Sequence, residues 1–371
     1  MKIIIYAIAK NEAKFARRWM KSMAEADGVY VLDTGSTDGT QLLLRAAGAV
    51  VEAAKIMPWR FDTARNESLD RCLAAFPDAD ILVCTDLDEV FRPGWRAALE
   101  TIWIEAPQAP TTARYEYVWS FNKDGSDGVK FFQEKVHTPG ACRWTYPVHE
   151  VLEYGEPKVF VDAQGVRLEH HADPTKSRGD YLRLLELSVQ ECPDDDRNRH
   201  YLGREYMYRG MLDKAVETFE AHLAMPSAVW DAERAASMRY IARCREAQGR
   251  ADMAELWLLR AAMEAPQYRE AWVELGGLMY RLARWRSCVR YLSKALDIKD
   301  RALTYITEPA AWGAAPWDML SIAWRQLGQQ KYALNCARKA YELEPDERIA
   351  KNIEIIEKEE VETWPGVISK N

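Results

Sequence analysis

Asp86-Leu87-Asp88 sets two carboxylates one residue apart, at the end of the apolar run 81–85. In an extended chain residues i and i+2 point to the same side, so both acids face one cleft. Two close carboxylates without compensation repel each other, and the arrangement calls for a cation between them. A divalent metal that also holds a diphosphate would meet that need. Two solvated acids at a strand end are the plainer reading of the triplet taken alone.

The elements that must position these acids alternate. Residues 3–9 form an apolar strand and 13–24 a helical pattern; strand 29–32 precedes helix 37–47, strand 50–52 precedes helix 63–76, and 81–85 is the fourth strand. Such alternation implies a parallel sheet with right-handed crossovers. Ligands bind such sheets at the carboxyl ends of the strands. The polar segments 10–12, 33–38 and 86–88 stand there and should converge on one crevice. Beyond Arg114 the pattern turns to strands, at 113–121, 129–136, 158–161 and 166–170, which predicts a mixed sheet.

From about Arg178 the chain becomes helical and Ala-rich, and an internal repeat emerges. Ala215, Ala254, Cys288 and Ala333 are equivalent positions. Twelve residues earlier stand the small Gly203, Ala242, Gly276 and Ser321, and four residues later Phe219, Leu258, Leu292 and Ala337. Small residues where helices cross, with Gly210, Gly249 and Gly328 at the turns, are what stacked helical hairpins need. The pattern resembles tetratricopeptide repeats. Its anchors are spaced 39, 34 and 45 residues apart, and the last interval holds an insertion over 300–316. Trp312 and Trp317 flank that insertion and are the expected exposed contacts of this half.

Hydrophobic residues make up 48% of the 371 and charged residues 29%, an ordinary globular composition. The formal net charge is −7 and neither half is basic, so no footprint for duplex nucleic acid is present. Residues 3–9 read as a buried first strand rather than a signal peptide, and no run reaches membrane-span length. Seven scattered cysteines without a Cys-x-x-Cys pair read as reduced, mostly buried thiols.

Four segments, 5–12, 31–40, 59–66 and 85–89, occur in that order. Together they resemble a family 2 glycosyltransferase of the GT-A fold, in the subgroup that carries a helical repeat domain and includes lipopolysaccharide-core glucosyltransferases and peptide S-glycosyltransferases. The expected organisation is therefore an α/β, Rossmann-like GT-A catalytic domain over 1–175, an all-α tetratricopeptide-like domain over 176–358 and a tail over 359–371. The resemblance implies a UDP-sugar donor, Mn²⁺ or Mg²⁺, and transfer of a hexose to a glycan, lipid-linked or peptide acceptor.

Residue by residue, it implies the following. Ala9, Asn11 and Glu12 surround the nucleoside, and Asp33 accepts from the base, with Gly35 permitting the turn. Ser36, Thr37 and Asp38 are equally helix-capping residues. Arg65 pairs with phosphate oxygens or forms an internal ion pair. Asp88 is the principal metal ligand, and Asp86 contacts the ribose or a metal-bound water. Glu150 is the acceptor base if the reaction inverts, with Asp124 and Asp127 as fallbacks. His149 completes the metal site or binds phosphate, and His171 of Glu169-His170-His171 offers another third ligand. Two further readings stand beside this one: a nucleotidyltransferase, disfavoured because 7–12 lacks glycine, and a non-catalytic binding protein whose repeats are the working part. A cytoplasmic location, peripheral at a membrane or not, and a protein partner or homodimer through the repeats complete the expectation.

Overall fold

The computed structural model describes residues 1–122, 124–155, 157–173 and 179–363. Two compact units emerge: Met1–Pro193 together with Leu303–Tyr305, and Asp194–Ala302 together with the chain from Ile306 onward. The sequence placed the division at 175/176. Of the expected tail, 364–371 lies outside the described residues, and its first residues continue a helix.

The first unit runs β1 (Ile3–Ala9), α1 (Ala13–Ser22), β2 (Gly28–Asp33), α2 (Thr40–Ala46), β3 (Val50–Ala53), α3 (Phe61–Ala75), β4 (Ile81–Cys84), β5 (Glu89–Phe91), α4 (Trp95–Glu105), β6 (Thr112–Val118), β7 (Lys130–His137), β8 (Cys142–Thr145), β9 (Val151–Tyr154), β10 (Phe160–His170) and α5 (Tyr181–Glu191). Among the described residues, eight strands form one mixed sheet in the order β3-β2-β1-β4-β7-β6-β10-β5, and β8 pairs with β9. The β3-β2-β1-β4 portion is parallel, as strand–helix alternation requires.

Alternation along β1 divides the core. Ile3, Ile5 and Ala7 join Trp19, Trp95 and Leu99 on one face; Ile4 and Tyr6 join Leu69, Cys72 and Trp144 on the other. Burial on both faces explains the unbroken apolar run of this strand. The two expected strands 158–161 and 166–170 are one, β10, whose register against β6 shifts between Asp162 and Arg167. Gly165, at φ +86°, lets the chain pass this irregularity without leaving the sheet.

The second unit runs α6 (Asp196–Tyr208), α7 (Leu212–Leu223), α8 (Asp231–Ala247), α9 (Ala251–Glu264), α10 (Arg269–Arg281), α11 (Trp285–Asp297), α12 (Ala315–Gln326), α13 (Gln330–Leu343) and α14 (Glu347–Thr363). The pairs α6/α7, α8/α9, α10/α11 and α12/α13 are the four hairpins read from the repeat, a helical repeat array. A Cβ at Gly203 would stand 2.6 Å from Phe219, and one at Gly276 would overlap Leu292. Glycine at these positions is what allows each hairpin to close. Trp317 packs with Ala314, Ala340 and Ile349, and Trp312 with Val273 and Ala295, so both are half-buried packing residues rather than the expected exposed contacts.

Candidate functional site

Two polar constellations stand out, one in each unit. In the first unit, parallel pairing sets Ala9 level with Asp33, and Tyr6 level with Cys84, so the carboxyl ends of β1, β2 and β4 lie side by side. The segments there bind one another. Asn11, with φ 57°, accepts from Thr37 N at 2.8 Å, and its own N–H donates to Ser36 Oγ at 2.8 Å. Glu12 N donates to Thr40 Oγ1, and Asp38 accepts from Ala13 N at 3.0 Å. Asp38 thus ties down the start of α1. Asp33 Oδ1 accepts from Gly35 N, Ser36 N and Gln41 Nε2, whereas its buried Oδ2 has no hydrogen bond among the described residues. Gly35, at φ +112°, makes the turn.

The acids of the Asp86 region are compensated from within the chain. Arg65, buried beneath the Trp144 ring, bridges Asp86 Oδ1 at 2.9 Å and Glu150. Lys135 reaches Asp86 Oδ2 at 3.3 Å and Glu89 Oε1 at 3.2 Å. Glu89 also accepts from Asp86 N and from the Tyr117 hydroxyl, each at 2.8 Å. Burial pushes the Asp86 carboxyl up, but Arg65 and Lys135 overcome it and hold the group well below the usual carboxylate range. Glu89 is raised, with burial the largest cause. Lys135 is raised despite its burial, because Asp86 and Glu89 flank it.

Asp88 faces His170, whose Nε2 lies 3.5 Å from Asp88 Oδ2 and whose Nδ1–H donates to Trp119 O at 3.1 Å. Burial lowers His170, but Asp88 outweighs it and holds the imidazole above its ordinary value. His171 stacks on Phe121, with its Nε2 3.7 Å from Glu169. His149 sits at φ 52° with its ring edge-on to Tyr181. Glu150 is engaged by Arg65, and Asp127 by Arg167. Asp124 accepts from Ser126 within its own turn. Sequence reasoning missed Lys135, Glu89 and Tyr117, for no local signal links β7 to the acids that follow β4.

In the second unit the part of the insertion from Ile306 onward meets α8 and α10. Glu308 meets Arg239 Nη1 at 2.9 Å and Arg243 Nη2 at 2.6 Å, and Glu274 of α10 meets the same two arginines at 2.7 and 2.8 Å. Trp312 donates to Glu270 at 2.9 Å beneath the Arg269 guanidinium, 3.9 Å from its ring centre. One turn-pair earlier, Arg204 of α6 is ringed by Tyr201, Tyr208 and Tyr240 at 5.3, 5.9 and 6.0 Å. Its Nε is buried without a partner, and no carboxylate pairs with it among the described residues. This half-buried cation escaped the sequence reading.

No protein-family model matches the chain, and no curated protein matches it. The solved structures it is similar to include the APC/C hetero-tetramer Cut9–Hcn1, at 14% identity over 49% of this chain and 33% of that one, TM-score 0.39. Others are the MamA protein, at 15% identity over 52% and 90%, TM-score 0.36, and YrrB, a TPR protein with an unusual peptide-binding site, at 13% over 48% and 83%, TM-score 0.36. The chain spans about a third of the Cut9–Hcn1 chain it matches.

These are repeat proteins, and none is a glycosyltransferase. The resemblance to family 2 glycosyltransferases, and the enzyme class taken from it, are accordingly withdrawn. Close carboxylates called for an external cation, and for Asp86 the cations are Arg65 and Lys135 of the chain itself.

Proposed function

We propose that this chain is a repeat-based binding protein whose helical array takes an extended, acidic segment of a protein partner. The observation that carries this reading is Arg204: a guanidinium set among three tyrosine rings, without a carboxylate beside it among the described residues. A desolvated guanidinium attracts a carboxylate strongly, and its planar fork can bind one through two parallel hydrogen bonds. Glu308 supports the same chemistry, since the next repeat already closes two arginines on an acid from the insertion. Stacked hairpins provide the elongated surface that such a segment needs.

The test uses the full chain and three labelled, unstructured peptides that alternate Gly with Glu, Gln or Lys, followed by fluorescence anisotropy. The Glu peptide should bind and weaken as salt rises, while the Gln and Lys peptides bind poorly. Equal binding of all three, or of none, would overturn the reading.

A further inference from the structure

A buried cluster in the second unit shares the Tyr201 and Tyr240 rings with Arg204 but offers ligand atoms of its own. His200 of α6, His222 of α7 and Glu233 of α8 are all buried and offer ligand atoms within 4.8 Å of one another. Ser237, one turn after Glu233, lies between the two rings, with its Oγ 2.7 Å from His200 Nδ1 and 3.0 Å from His222 Nδ1. His222 Nε2 stands 3.3 Å from Glu233 Oε1 but makes no hydrogen bond among the described residues, and His200 Nε2 is buried without one among them. The rings of Tyr201, Phe219 and Tyr240 wall the cluster.

Proton counting shows why this arrangement is incomplete by itself. The Ser237 hydroxyl has one proton, so it donates to one Nδ1 and accepts an N–H from the other. The imidazole that donates through Nδ1 then has a bare Nε2, a lone pair buried without a donor. If both rings ligate a metal through Nε2, both Nδ1–H groups donate to Ser237 Oγ, which has two lone pairs to receive them. All ring nitrogens are then satisfied, and Ser237 acts as the outer-shell partner that fixes both ligands.

We propose that His200, His222 and Glu233 form a transition-metal site for an ion of the Zn²⁺ class, oriented by Ser237. Two imidazoles and one carboxylate suit zinc and its neighbours, whereas calcium and magnesium prefer all-oxygen shells. Donors about 2.1 Å from a tetrahedral ion stand roughly 3.4 Å apart. The His222–Glu233 pair already has that spacing, at 3.3 Å. Arg204 and Arg239 stand near enough to oppose a positive charge here, and the Glu233 carboxylate offsets part of that.

The test is a Co²⁺ titration of the chelator-stripped full chain, read by visible absorption. The wild type should take one equivalent with intense visible bands that Zn²⁺ abolishes, and its melting temperature should rise with Zn²⁺. His200→Gln should lose the bands while its helical circular dichroism is retained. Ser237→Ala keeps all three ligands and should bind about 10–100-fold more weakly. No bands in the wild type, or bands that persist in His200→Gln, would overturn the site. If His200→Gln does not fold, Ser237→Ala decides: weakened binding supports the site and undiminished binding overturns it. Run on the chelator-stripped chain, the peptide assay reads Arg204 apart from the metal.

Discussion

The two units bury arginines in opposite ways. In the sheet unit, Arg65 and Lys135 are enclosed by Asp86, Glu89 and Glu150, all held on or beside strands. In the helical array, Arg239 and Arg243 draw one of their acids from an insertion, and Arg204 lies among tyrosines with no carboxylate beside it among the described residues. A closed charge network contributes to stability by matching every charge to a fixed partner, whereas a cation left open toward a surface is available to a ligand. The same residue type therefore reads as structure in one unit and as recognition in the other.

The sharpest way to break this contrast is Arg65→Ala. Removing one partner of a buried network leaves uncompensated carboxylates and should cost about 3–5 kcal/mol, read by urea unfolding of the first unit. A cost near zero would mean that the network is not closed. Acid provides the next largest effect. Burial lowers His137 to about 4, while Tyr6 Oη–H and Thr138 O hold its ring neutral. The unfolded chain takes up this proton near pH 6.5 and the folded chain only near pH 4. Stability is therefore full above pH 6.5 and falls by roughly 3 kcal/mol toward pH 4. Hydrogen exchange over β1 and β4 should show the loss, and His137→Gln should flatten it in the first unit alone.

Gly203→Ala acts on the other side of the comparison. Its Cβ would meet Phe219, and overpacking of this kind costs about 1–3 kcal/mol, seen as faster exchange in α6 and α7 with β1 and β4 unchanged. The smallest effect separates the two kinds of arginine most finely. Glu308→Gln removes one acid from Arg239 and Arg243, which keep Glu274. Stability should fall by about 1 kcal/mol, and the acidic peptide should bind up to about tenfold more tightly as the surface loses its internal competitor.

Much of this was legible in the residues. The strands β1 and β4 are apolar throughout because they are covered on both faces, and the hairpin register followed from Gly203, Gly276 and the small residues aligned with them. Local pattern was silent elsewhere, for physical reasons. β10 was read as two strands because the chain dips at Gly165 while staying in the sheet. The pairing of Asp86 with Lys135 could not be read because Lys135 arrives on an antiparallel strand 49 residues later. His200, His222 and Glu233 come from three helices, so their meeting depends on how hairpins stack. Arg204 is distinguished only by what its surroundings lack, which a one-dimensional pattern does not reveal.

The central claim rests on Arg204, and Arg204→Gln tests it most directly. The account predicts that the full-length variant unfolds at the same urea midpoint, within about 0.5 kcal/mol, yet binds the Glu peptide at least about tenfold more weakly and with a shallower salt dependence. Unchanged affinity and salt dependence in a folded variant would contradict it.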